Sequence, residues 1–243
     1  MKQVILILLG LILLGGLAFL SSCGCNGKRG NGHVVKQERK ISSFQKISIK
    51  GIFPVVISQD GGSEWVKVEA DDNLQELITV ENDDNELIIS SDDNIAIHKS
   101  KRLKVYVNIK TLHALNNTSV GTIASSGPLT FDSLEINSES VGKLELKLQG
   151  NFLRANLNSV GLTNLSGNVE EVRINNKSVG VLFANDLKAE TLMIHNTAVG
   201  LVEVYAAKEF FIRSSGIGNL YYKGAGDVKE LKHEGLGKVQ KVE

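Results

Sequence analysis

Cysteine, proline and aromatic side chains are all scarce in this 243-residue chain. The two cysteines, Cys23 and Cys25, lie two residues apart near the N-terminus, so no disulfide framework can hold the fold. Two prolines and 5% aromatics stand against 24 glycines, a balance that suits many tight turns between short β-branched strands. Charge of one sign is also missing. With 27 basic and 27 acidic residues, no general field recruits nucleic acid or an acidic membrane surface. Beyond the N-terminal segment, no stretch reads as a long amphipathic helix. The five histidines, His33, His98, His113, His195 and His233, are scattered without a partner at metal-ligand spacing, and no cofactor is implied.

What is present is a repeat. LNNTSVG, beginning at Leu115, is followed by INSESVG, ANLNSVG, INNKSVG, IHNTAVG, IRSSGIG and LKHEGLG. The closing glycines, Gly121, Gly142, Gly161, Gly180, Gly200, Gly218 and Gly237, are spaced 21, 19, 19, 20, 18 and 19 residues apart. A period near twenty marks a solenoid. Six positions before each glycine stands Leu115, Ile136, Ala155, Ile174, Ile194, Ile212 or Leu231, and the second position after it is mostly aliphatic. Alternate residues of short strands therefore point inward on either side of a Ser-Val-Gly turn. A single coil cannot bury its apolar face, but stacked coils can, at about 4.8 Å per level. The expected fold is all-β, a parallel β-helix or solenoid of about 19–20 residues per coil, right-handed by the crossover preference. A leucine-rich repeat is rejected, because the copies lack its leucine–asparagine pattern and any helical half.

Outward rows are expected at Asn116, Asn137, Asn156 and Asn175, drifting to His195, Arg213 and Lys232, and at Ser119, Ser140, Ser159 and Ser178. Stacked like residues form hydrogen-bonding ladders, read here as structural. Because a catalytic site would break the repeat, the drift to His195, Arg213 and Lys232 is the place where a binding face is sought.

The chain divides into four parts. Residues 1–22 read as a signal peptide: Lys2 precedes an uncharged apolar run from Val4 to Leu20, marginal for a membrane span. Its exit, Leu20-Ser21-Ser22-Cys23, resembles the lipobox of bacterial lipoproteins. That resemblance implies cleavage before Cys23, a diacylglycerol on its sulfur and an acyl chain such as palmitate on the new amino group, hence stable membrane anchoring. Gly24 follows where an inner-membrane-retention aspartate would stand, so the expected location is the outer membrane or cell surface of a bacterium. Residues 23–40, glycine-rich and basic, read as a flexible tether.

Residues 41–112 alternate at period two, with Pro54 at an edge or bend and a short helix over NLQELI, capped by Asn73 with Glu76 closing a capping box. Three Asp-Asp-Asn triplets, at Asp71, Asp83 and Asp92, carry the oxygens calcium prefers, but they belong to separate turns, and turn chemistry is the better reading. Residues 113–243 are the seven-repeat solenoid, with KVQKVE as a charged terminal cap.

The lipobox, GIFPVVISQDGG, ADDNL, LKVYVNIKTLHAL and the serial turns resemble the auto-transporter adhesin, head GIN domain family over residues 41–243. Members usually carry Ser-Gly-Ser-Gly where this chain has Ser-Val-Gly. The resemblance implies an exported β-solenoid, commonly a lipoprotein, with no established enzymatic activity, and the lipobox, tether and regular polar rows point to a surface-anchored head that binds glycan or protein. Two alternatives stand beside it: a self-associating structural envelope protein, and a carbohydrate-active β-helix enzyme, for which no column of carboxylates is evident.

Overall fold

The computed structural model describes residues 27–91 and 96–243. The signal peptide, the lipobox with Cys23, Cys25 and the triplet at Asp92 fall outside them. The fold is nearly all β, a solenoid of about seven turns of parallel stacked coils. Five long strands bend around the coil: Val120–Ser138, Val141–Leu157, Val160–Asn176, Val179–Asn196 and Val199–Ser214. Each pairs in parallel with the next, so that Ile136, Ala155, Ile174, Ile194 and Ile212 form one buried column. On the next side, Ile123, Leu144, Thr163, Leu182, Val202 and Leu220 form another.

The columns continue into the N-terminal segment, out of sequence order. Strands Lys46–Lys50 and Val55–Ser58 stack directly on Ala114–Asn117 and the start of Val120–Ser138. Strands Glu86–Ser91 and Leu103–Asn108 form a level beyond them. The first level in the chain is thus sandwiched between two later ones. Antiparallel strands close this end: Ile78–Asp83 on Glu86–Ser91, and Val34–Arg39 and Trp65–Asp71 beside Leu103–Asn108. The tether reading therefore fails for Val34–Arg39, all six of whose residues pair with Trp65–Asp71. Gly27–Arg29 also pairs, with Ala96–Lys99.

The expected short helix is a 3-10 helix, Asp72–Leu77, without the capping box. Asn73 instead donates to the Arg29 carbonyl (2.9 Å) and accepts from the Asn31 amide (3.0 Å), tying the helix to the N-terminal segment. Asp84 and Asn85 sit at φ 37° and 70°, a hairpin corner that Asp and Asn tolerate well. At the other end, Val239–Val242 pairs with Ile217–Lys223, and charged Asp227–His233 covers Val199–Ser214. Lysine-bearing strands at both positions blunt edge pairing.

At each Ser-Val-Gly corner the ladder runs on without a break: Val141, Val160, Val179 and Val199 donate to the Ser119, Ser140, Ser159 and Ser178 carbonyls at 2.8–3.1 Å. The serines were expected outside. Ser119 and Ser159 are buried, and Ser140 and Ser178 half-buried. Ser138, Ser140 and Ser159 bond one another at 3.0–3.1 Å, and Asn117 donates to Ser138 at 3.1 Å. The small hydroxyl fits inside the corner and finds partners there, and the valine next to it turns out to solvent.

Candidate functional site

Four outward features are candidates for function. The first is the asparagine row. Asn137 donates to Asn116 (3.1 Å) and Asn156 to Asn137 (2.8 Å), a half-buried ladder that serves the stack itself.

The second is the continuation of that row. Register places His195 beside Arg213 and Arg213 beside Lys232, all exposed on one face, around a shallow hollow of about 130 Å³. The three expected residues are brought together, but the charges of Arg213 and Lys232 are engaged. Glu230 accepts from Arg213 at 2.8 and 3.1 Å and lies 3.2 Å from Lys232. These hydrogen bonds, Arg213's first, hold the Glu230 carboxyl below the usual range, and Glu230 in turn raises Arg213.

The third is an exposed aliphatic row that the sequence reading did not single out. Val120, Val141, Val160, Val179, Val199 and Ile217 lie in register at 43–53% exposure, with Leu236 bridged to Ile217. Half-buried Leu162, Val181 and Leu201, one glycine away, widen it at the central levels. A long exposed apolar strip of this kind is unusual on a free surface.

The fourth is a groove of about 600 Å³ crossing five coils. Thr130, Gln149, Asn168 and Lys188, in register, make one wall. Asp132, Asn151, Glu170 and Glu190 make the other. The depression exists because the corner residues between the walls are small or turned in: Gly150, Val169 and Ala189 form the floor, with the Phe131 ring lying across Gly150. Asn168 donates to Gln149 (3.1 Å) and Asn151 to Asp132 (2.7 Å). Tyr205 closes one end, the Lys188 ammonium 4.2 Å from its ring centre. No motif announced this groove, because its walls use different polar residues at each level and only the register aligns them.

Among the described residues, no group of three His, Cys, Asp or Glu is placed to hold a metal ion, and no helix is long and apolar enough to cross a membrane. The two triplets in view have structural work instead: Asp71 accepts backbone N–H groups and Asp84-Asn85 turns a hairpin.

Stacked parallel coils with long outward faces and closed ends define an extended β-solenoid head. The chain belongs to the family described as putative auto-transporter adhesin, head GIN domain, whose model matches residues 43–226. It is similar to the crystal structure of a putative adhesin from Bacteroides fragilis, at 25% identity and TM-score 0.85, over 89% of this chain and all of that one. A putative adhesin from Parabacteroides merdae (21%, TM-score 0.63, 90% and 100% covered) shares the fold. So does a putative lipid binding protein from Parabacteroides distasonis (22%, 0.65, 89% and 100%). No curated protein sequence matches the chain.

Proposed function

We propose that this protein is a lipid-anchored, non-enzymatic adhesin of the bacterial envelope, held by acylated Cys23 and presenting its solenoid to glycan or protein ligands. The observation that carries the reading is the persistence of outward side-chain rows, in register, over the five long coils. Such faces offer repeated weak contacts that sum to avidity. Membership of an adhesin family supports it. Liposomes bearing the full acylated protein should be retained on at least one surface of a panel coated with glycans and matrix proteins, and retention on none would refute the binding role. For the anchor, the wild-type protein should partition into the detergent phase of a phase-separating surfactant and take up labelled palmitate. Cys23→Ser should lose the label while keeping its uncleaved apolar leader, and a labelled Cys23→Ser protein would disprove the lipobox assignment.

A second reading, self-association, is favoured by the aliphatic row, which a second copy lying along it would cover. Light scattering on residues 27–243, without the apolar leader, should then give a dimer that Val160→Ser/Val179→Ser converts to monomer. A wild-type monomer would exclude this reading.

A further inference from the structure

From the geometry of the groove between the Thr130 and Asp132 rows we infer its ligand class: an extended, uncharged oligosaccharide lying along the solenoid axis. The inference rests on the binding-module reading and names its site and substrate.

The walls repeat at the coil spacing of about 4.8 Å, so each level offers a fresh polar side chain to one stretch of an extended polymer. Gln149, Asn168 and Asn151 are planar amides, each with two N–H donors and a carbonyl acceptor; Asp132 and Glu170 are acceptors only. That mixture suits hydroxyl groups, which both donate and accept. Between the walls little but backbone is presented, because Val169 and Ala189 turn into the core, so a ring can lie close against the coils.

A peptide strand is a poorer fit. Strand addition needs an open backbone edge, and along this groove the backbone on both sides is already paired with neighbouring coils. Charge then decides among glycans. Three carboxylates, Asp132, Glu170 and Glu190, line the wall. The cations nearby are committed: Lys208 bonds Glu190 at 2.6 Å, and Lys188 bonds the Asn185 carbonyl at 3.0 Å while lying over Tyr205. Three carboxylates against Lys188 and Lys208 leave the groove net negative, which disfavours an anionic polysaccharide relative to an uncharged chain.

The test uses the full acylated protein in detergent micelles, titrated calorimetrically with cellohexaose, laminarihexaose, mannohexaose, the fully N-acetylated chitin hexamer and hexagalacturonate. At least one uncharged hexamer should bind, at least tenfold tighter than its dimer because the groove spans several levels, and hexagalacturonate should not. Gln149→Ala/Asn168→Ala, both exposed positions, should weaken that binding at least tenfold, whereas Lys177→Ala, exposed and outside the groove, should leave it unchanged. Equal binding of hexagalacturonate, or unchanged affinity in the groove variant, would overturn the assignment. So would silence from all four uncharged hexamers. If that silence accompanies retention of the liposomes on a protein surface, the adhesin reading survives and only the groove assignment falls.

Discussion

Gly161→Ala, and equally Gly180→Ala, should be among the most destabilising single substitutions available in this protein, lowering stability by roughly 3–5 kcal/mol. Two independent costs add. Backbone φ is +133° at Gly161 and +136° at Gly180, a region that a side-chain-bearing residue enters only at a cost of about 1–3 kcal/mol. The added Cβ would also stand 2.1 Å from the Gly142 carbonyl oxygen, or 2.0 Å from that of Gly161, and the obstructing atom is backbone in the coil below. Relief requires prising two levels apart, which weakens the ladder on both sides of the corner.

For a chain of this size the cost corresponds to a fall in melting temperature of about 10 °C. Gly127→Ala is the control: a Cβ there meets nothing within 4 Å, so its effect should stay within about 0.5 kcal/mol. Position in the stack should matter as well. Gly237 has the same kind of clash, 1.9 Å from the Gly218 oxygen, yet it lies at the last level, where Leu231 and Leu236 are exposed. In a quasi-one-dimensional stack a terminal level can fray without severing the rest. Gly237→Ala should therefore cost less than Gly180→Ala in thermal denaturation, and the reverse order would contradict the picture of coils coupled mainly to their neighbours.

Why these glycines were legible in the sequence, while much around them was not, follows from what periodicity encodes. A repeat records contacts made identically at every level, so the Ile136-to-Ile212 column, the asparagine ladder and the corner glycines could all be read from spacing. The order of levels could not. That Lys46–Ser58 lies between Glu86–Asn108 and Ala114–Phe131 depends on pairings across long sequence separations, which no local pattern specifies. The inward serine and outward valine follow an alternation that runs straight through the corner, since Leu115, Asn117, Ser119 and Ile123 share one parity and are all buried while Val120 falls on the other; treating Ser-Val-Gly as a turn hid that parity. Val34–Arg39 looked like tether because its polar, basic composition reflects an edge strand, and the partner that fixes it, Trp65–Asp71, lies some thirty residues on. The groove escaped for a similar reason. Thr130, Gln149, Asn168 and Lys188 are unlike residues aligned only by register, and the bulges at Ala124/Pro128 and Asn164/Ser166 shift that register away from a fixed count.

Removing the Asp71 carboxylate should be the second large effect, at about 3 kcal/mol for Asp71→Ala. Asp71 is fully buried at the end of Trp65–Asp71. Its oxygens accept from the Gly32 amide at 2.5 Å, the Lys101 amide at 2.8 Å and the Arg102 amide at 3.4 Å. One side chain thereby ties the N-terminal segment, an inner strand and the approach to Leu103–Asn108, and Gly30 packs so closely that a Cβ there would meet the carboxyl carbon at 2.6 Å. Burial by itself would raise this acid's pKa, but the amides of Lys101, Gly32 and Arg102 outweigh it and hold the carboxyl below the usual range. Because the folded pKa is depressed, the stabilisation is present above the unfolded value of about 3.9 and is lost as pH falls through that value toward the folded one. Wild-type stability in urea should therefore drop as the pH is taken from neutral to below about 4. Asp71→Asn, which keeps the shape but sets an amide group against N–H donors, should be less stable at neutral pH and show a flatter acid limb. Asp72→Asn next door, at an exposed carboxylate paired with Asn31 and His33, should change neutral stability far less. If Asp71→Asn kept both the neutral stability and the acid limb of wild type, the charge on Asp71 would not be what closes this end of the solenoid.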